Sequence, residues 1–223
     1  DGFLGKKPTL PTPVHQPNRS YVADGNQVYF LQKEMAQAQV RLEFAAGAYD
    51  ESKAHMAQVF NEYFGGGMAG LVFQELREAR ALAYSAWAHF FAPSRKREEN
   101  ILVGSIGCQA DKTIEAVTAF VDLLDDMPIN QTRWESAHTA ILSTYRTNPI
   151  GSRARPGYAY DFRALGLRED PRKNRFLSLE GAEMSSLREF YSEEIKPQNI
   201  LISIVGDSQK IDLEKLQQFG PLT

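Results

Sequence analysis

A single cysteine, Cys108, stands in the 223 residues of this chain. An internal disulfide and any cysteine-rich zinc module are thereby excluded. No apolar run approaches the ~18 residues that a membrane helix needs. An excess of one charge sign is missing too, with 25 Lys and Arg against 28 Asp and Glu. The net charge of −3 gives no reason to expect nucleic acid or an anionic membrane surface as a partner. There is no G-x-S-x-G elbow for a nucleophilic serine. Cys108 falls on a strand pattern, where a lone cysteine is a small hydrophobe before it is a nucleophile. No G-x-G-x-x-G stands in a strand-to-helix context, and no Lys-Ser or Lys-Thr follows the one glycine run, so a phosphate loop is disfavoured. The chain opens on Asp1 without a charged-then-apolar export segment. That is expected of a mature product or a piece of a longer polypeptide.

What is present is globular. The chain is 43% hydrophobic, 24% charged and 11% aromatic, and its length suffices to bury roughly 70% of the extended surface in one core. Pro8, Pro11, Pro13 and Pro17 space an N-terminal tail that favours extended chain. Residues 1–26 read as a linker from an upstream domain, and 27–223 as the folded unit. Residues 27–46 read as a strand pair or one long bent strand. Ala36, Ala38, Val40, Leu42, Phe44 and Ala46 alternate with Gln37, Gln39, Arg41 and Glu43, the pattern of a sheet covered on one face. Gly47 is expected to end it.

Asp50 is a candidate N-cap, followed by the helical stripe Met56, Val59, Phe60 and Tyr63. Leu71, Val72, Leu76 and Ala79 continue in a second helix. Tyr84–Phe91 and Ile101–Cys108 read as a hairpin. Asp111 is expected to cap a helix with the stripe Ile114, Val117, Val121 and Leu124, which Pro128 stops. Thr132 and Glu135 have capping-box spacing ahead of Trp134, Ile141, Leu142 and Tyr145. Pro149, Pro156 and Pro171 break any long helix in 149–180. Leu187, Phe190, Tyr191 and Ile195 mark a last long helix. Ile200–Val205 is the nearly continuous apolar run of a strand buried on both faces or central in its sheet. Strands and helices come in runs rather than alternating singly. That order predicts an α+β fold, a mostly antiparallel sheet packed against helices.

The most informative stretch is Gly65–Ser85, GGGMAGLVFQELREARALAYS. Its glycines read first as a break between helices that needs positive φ or close packing. Arg77 at a helix end and Tyr84 on a strand are, singly, unremarkable. Together, Tyr63-Phe64-Gly65-Gly66-Gly67, Leu71 to Glu78 and Leu82-Ala83-Tyr84-Ser85 resemble the C-terminal, non-zinc-binding half of the insulinase/pitrilysin-type zinc metallopeptidases. Ala38–Leu42 looks like that half's first strand. Lys196-Pro197-Gln198-Asn199 with Ile204-Val205-Gly206-Asp207 is similar to its closing strand and turn. Ala81 departs, since relatives often carry glycine there, and alanine is tolerated unless φ is positive.

The resemblance implies a sandwich like one half of the mitochondrial processing peptidase, and a clamshell of two such halves. The zinc half carries H-x-x-E-H. None of His15, His55, His89 and His138 has that pattern around it. Glu135-Ser136-Ala137-His138 is a single E-x-x-H, and a di-iron site needs two plus further carboxylates. No metal or cofactor site is therefore expected in this chain, and zinc is expected in the partner half. By resemblance, Arg77 and Tyr84 contact the substrate carbonyl or oxyanion across the chamber, and the partners are the zinc-binding half and a peptide substrate. The chain alone is expected to cleave nothing. A catalytically inert structural subunit of a larger assembly, or a peptide-binding module, remain alternatives. An exposed apolar patch would favour assembly over a free module. The compartment stays open, with export to a bacterial envelope as one option.

Overall fold

The computed structural model describes residues 25–196 and 199–223. The proline-spaced tail lies outside them. Five strands make one sheet: β1 (Gln27–Gln32), β2 (Gln37–Ala48), β3 (Ala83–Phe91), β4 (Glu99–Gln109) and β5 (Ile200–Gly206). Their spatial order is β1-β5-β2-β4-β3. β1 runs parallel to β5, and the other pairings are antiparallel. The last strand thus enters the interior of the sheet, which is what its apolar run asked for. The fold is α+β with a mostly antiparallel sheet, as expected.

The helices are α1 (Ala54–Phe60), α2 (Leu71–Phe73), α3 (Thr113–Asp125), α4 (Gln131–Thr147), α5 (Arg155–Ala164), α6 (Arg172–Glu180), α7 (Met184–Phe190) and α8 (Leu213–Leu216). Three of them run on as π-helical turns: α1 through Asn61–Gly65, α2 through Gln74–Ala79 and α7 through Tyr191–Ile195. The helical layer covers one face of the sheet. Ala38, Val40, Leu42, Phe44 and Ala46 of β2 point into it and are buried. An aromatic cluster fills the layer, with Phe60 stacked on Phe64 at 5.2 Å and Phe64 edge-on to Phe120 at 6.1 Å. Each such side chain contributes about 1.5–3 kcal/mol by burial. Gly104 makes room for Phe120, because a Cβ there would lie 2.3 Å from the ring's Cζ.

The opposite face is open among the described residues. Register aligns Tyr29, Ser203, Arg41, Ser105 and Trp87 in one row across it, and Leu31, Val205, Gln39, Gly107 and Ser85 in the next. Tyr29, Leu31, Tyr84, Trp87 and Phe91 are exposed. The sheet edges, by contrast, are covered along β1 and, on β3, at Phe90. Along β1, Val28 N–H donates to Pro221 O and Phe30 N–H to Thr223 O, both at 2.9 Å. Along β3, the Asn61 amide copies a strand partner: Phe90 N–H donates to its Oδ1 at 2.6 Å, and its Nδ2 donates to Phe90 O at 3.0 Å. Covered edges keep the sheet from adding a further strand there.

Several local expectations are corrected. β2 does not end at Gly47 but passes it in a bulge to Ala48, because Gly47 takes φ +36°. Ala79 is exposed, since the π-helical turn rotates it off the stripe of Leu71, Val72 and Leu76. Asp111 lies inside the first turn before α3, and the residue ahead of that turn, Gln109, makes no side-chain cap. Thr132 and Glu135 form no capping box. Asn130 is the N-cap instead, its Oδ1 accepting from Arg133 N–H at 2.9 Å, so the helix starts two residues earlier than the box would place it. Asp50 does cap, accepting from Ser52 N–H.

One polar cluster ties α6 to the chain just ahead of α1. Arg175 grips Glu51 with two bonds, Nε to Oε1 at 2.7 Å and Nη2 to Oε2 at 2.6 Å, and Tyr49 O–H donates to the same carboxylate. Burial pushes the Glu51 carboxyl up, but the bonds from Arg175 and Tyr49 outweigh it and hold it below the usual carboxylate range. A lowered folded-state value stabilises the fold above the unfolded carboxyl value, and the gain is lost as pH falls through the folded value. Arg175→Ala is expected to cost about 1–3 kcal/mol. It should also remove this acid-side loss from a urea-unfolding series run against pH.

Candidate functional site

Arg77 and Tyr84 are placed by how β3 leaves α2. Arg77 stands in the π-helical turn, next to buried Leu76. Its guanidinium lies 4.7 Å from the Phe73 ring centre, within cation–π range, and its Nε is 3.6 Å from Glu78 Oε1. The chain then reverses. Leu82 N–H donates to Leu76 O at 2.8 Å, and Arg80 N–H to Glu75 O at 3.2 Å, closing the helix end with long-span bonds of the Schellman kind. Ala81, the residue between, has φ +51°.

That sign is the condition under which alanine is not neutral. A left-handed non-glycine residue costs about 1–2 kcal/mol, partly offset by the greater unfolded-state freedom of a glycine. Ala81→Gly is therefore expected to stabilise the protein by about 0.5–1 kcal/mol, read as a rise in Tm of about 1–4 °C.

Tyr84 sits in a β-bulge. Ala83 pairs with Cys108 and Ser85 with Gly107, so Tyr84 faces no residue of its own on β4. Bulges of this kind re-aim a side chain. The ring leaves the open face of the sheet 53% exposed, and its hydroxyl accepts a bond from Gln109 Nε2 at 2.9 Å. Beside it, Gly107 leaves a gap: a Cβ there would lie 2.7 Å from Ser85 Oγ and 3.2 Å from Gln39 Nε2. Gln109 thus sets an uncharged amide on the phenol, while Ser85 and Gln39 close over Gly107. Among the described residues no hydrogen bond joins Arg77 to Tyr84. The sequence did not single out Gln109. It is 25 positions from Tyr84 and meets it only through strand register, for which no local signal exists.

The other candidates are structural. The Cys108 thiol is buried and pushed up by that burial, 3.7 Å from Thr113 Oγ1. His138 stacks on Trp134 and donates from Nε2 to Leu179 O at 2.6 Å, while Glu135 accepts from Gln131. The E-x-x-H pair therefore serves two different contacts. Among the described residues no group of three or more His, Cys, Asp or Glu is arranged to hold a metal ion. Among the described residues no helix is long and apolar enough to cross a membrane. The glycines sit between α1 and α2 as a helix break. Gly67 takes φ +56°, and a Cβ on Gly65 would lie 1.7 Å from Ala88 O. Concave surface exists beside β3, in a groove of about 540 Å³ lined by Asn61, His89, Tyr145, Tyr158 and Arg175 among others, but neither Arg77 nor Tyr84 lines it.

The family model described as the peptidase M16 inactive domain matches residues 2–140. The chain belongs to this family. It is the C-terminal, inactive-domain type of the insulinase/pitrilysin resemblance. Among solved structures, the peptidase M16 inactive domain from Pseudomonas fluorescens is similar with a TM-score of 0.70 at 12% identity, over 84% of this chain and 45% of that one. A conserved protein from Enterococcus faecalis gives 0.70 at 14%, over 90% and 46%. The periplasmic protease PqqL from Escherichia coli gives 0.66 at 13%, over 83% and 21%. At these identities the likeness is one of fold. The chain spans less than half the length of these neighbours. No curated protein matches it.

Proposed function

We propose that this M16 inactive domain is the non-catalytic half of a zinc metalloendopeptidase, closing over a peptide and presenting Tyr84 and Arg77 to the scissile carbonyl at the zinc site of the other half. The observation that carries the reading is the set of Tyr84. The phenol projects from the open sheet face out of a bulge, and Gln109 occupies one of its lone pairs. Its own proton is thereby available for an oxygen that gains negative charge as the peptide bond is attacked. Arg77 offers donors only and stays charged, which suits a substrate carbonyl. The β1 edge is occupied by the C-terminal residues, so on that side peptide is received by side chains on the open face, not as an added strand.

The exposed Tyr29, Leu31, Trp87 and Phe91 favour a chain that meets another half over a free-standing peptide module. The same face also suits an inert structural subunit, and activity separates the two. Mixed with its own H-x-x-E-H half, this chain is expected to complete cleavage of an unfolded peptide, while alone it cleaves nothing. A zinc half that cleaves equally well without this chain would sink the proposal.

A further inference from the structure

Resting on that reading, we infer that Gln109 is a positioning residue that keeps the Tyr84 hydroxyl a donor toward substrate. A phenol has one proton and two lone pairs. Whatever pairs with it decides which it has left to offer. Gln109 Nε2 donates to the hydroxyl oxygen at 2.9 Å, so the phenol spends a lone pair and keeps its proton. A donor into the oxygen also polarises the O–H bond and strengthens it as a donor in turn.

The scaffold around this contact is firm on Gln109's side. It is the last residue of β4, paired with Gln37 of β2. The next residue, Ala110, donates from its N–H to Ala36 O at 3.3 Å, and the turn ahead of α3 begins there. Tyr84 has no such anchor, because the bulge removes its partner on β4 and its ring is exposed. The amide is the one hydrogen-bonding partner of its hydroxyl among the described residues. Gln109 carries no charge, so its N–H serves the hydroxyl oxygen without the pull on the phenol proton that a carboxylate exerts.

The test is a donor-against-acceptor series at position 109, in the whole protein joined to its zinc half, with peptide cleavage as the readout and Tm as a control. Gln109→Glu places an acceptor-only group beside the phenol and draws its proton inward. It is expected to lower kcat about tenfold or more with KM changed less than about threefold. Gln109→Leu removes the anchor and should lower kcat about tenfold, while Gln109→Lys, a donor, should keep most of the activity. In a Tyr84→Phe background all three should be silent. Full activity of Gln109→Glu where Tyr84→Phe is crippled overturns the role of Gln109 alone. So does an effect of Gln109→Leu that persists without the phenol. Full activity of Tyr84→Phe overturns the functional reading beneath it, and this inference with it.

Discussion

Tyr84→Phe is expected to lower kcat/KM for peptide cleavage by about 100- to 1,000-fold in the protein joined to its zinc half, the equivalent of about 2.7–4 kcal/mol of transition-state stabilisation. The substitution is narrow. The ring keeps its place in the bulge, and the half-exposed phenol leaves no cavity when its oxygen goes, so Tm should hold. What disappears is one O–H donor aimed away from the sheet. If that donor acts on charge that develops only during reaction, the loss falls on kcat. If it merely holds the peptide, the loss falls on KM. Arg77→Ala should act in the same direction, and Arg77→Lys should rescue it poorly. Lysine keeps the charge but not the planar fork that stacks on Phe73. Steady-state kinetics on the three variants decide the matter. Cleavage by Tyr84→Phe and Arg77→Ala at the parent rate would remove both residues from the site.

The sequence carried the parts of this picture that are local or periodic. Period-two alternation in Ala38–Ala46 identified the core face of β2, and the Met56–Tyr63 stripe identified that of α1, because those patterns follow from geometry that every strand and helix shares. It carried the Arg77 and Tyr84 positions only through a resemblance to a family. Their surroundings were illegible for a physical reason. The bulge at Tyr84 depends on how β3 meets β4, and Gln109 reaches the phenol across a hairpin. Three π-helical turns escaped as well, since an extra residue per turn leaves no compositional mark, and one of them swung Ala79 off its expected face. The sign of φ at Ala81 is the sharpest case. The chain spends an alanine where the reversal into β3 wants glycine, and only the backbone reveals it.

The glycine run makes the last prediction, because its members do different jobs. Gly67 has a positive φ and open space around it, so Gly67→Ala should cost only the left-handed penalty of about 1–2 kcal/mol. Gly65 is tighter. A Cβ there would stand 1.7 Å from the Ala88 carbonyl oxygen and 2.6 Å from its carbon, and backbone cannot step aside as a side-chain tip can. Gly65→Ala must push the end of α1 off β3, prying at the Asn61–Phe90 pair and at the stack of Phe64 on Phe60. The expected cost is at the top of the overpacking range, about 3 kcal/mol or more, or a fall in Tm of about 6–12 °C. Because β3 also carries Tyr84, the same variant should lose peptide cleavage even below its melting temperature, whereas Gly67→Ala should keep it. Thermal unfolding of the two variants side by side tests the assignment, and equal losses would mean that contact with β3 is not what the first glycine is for.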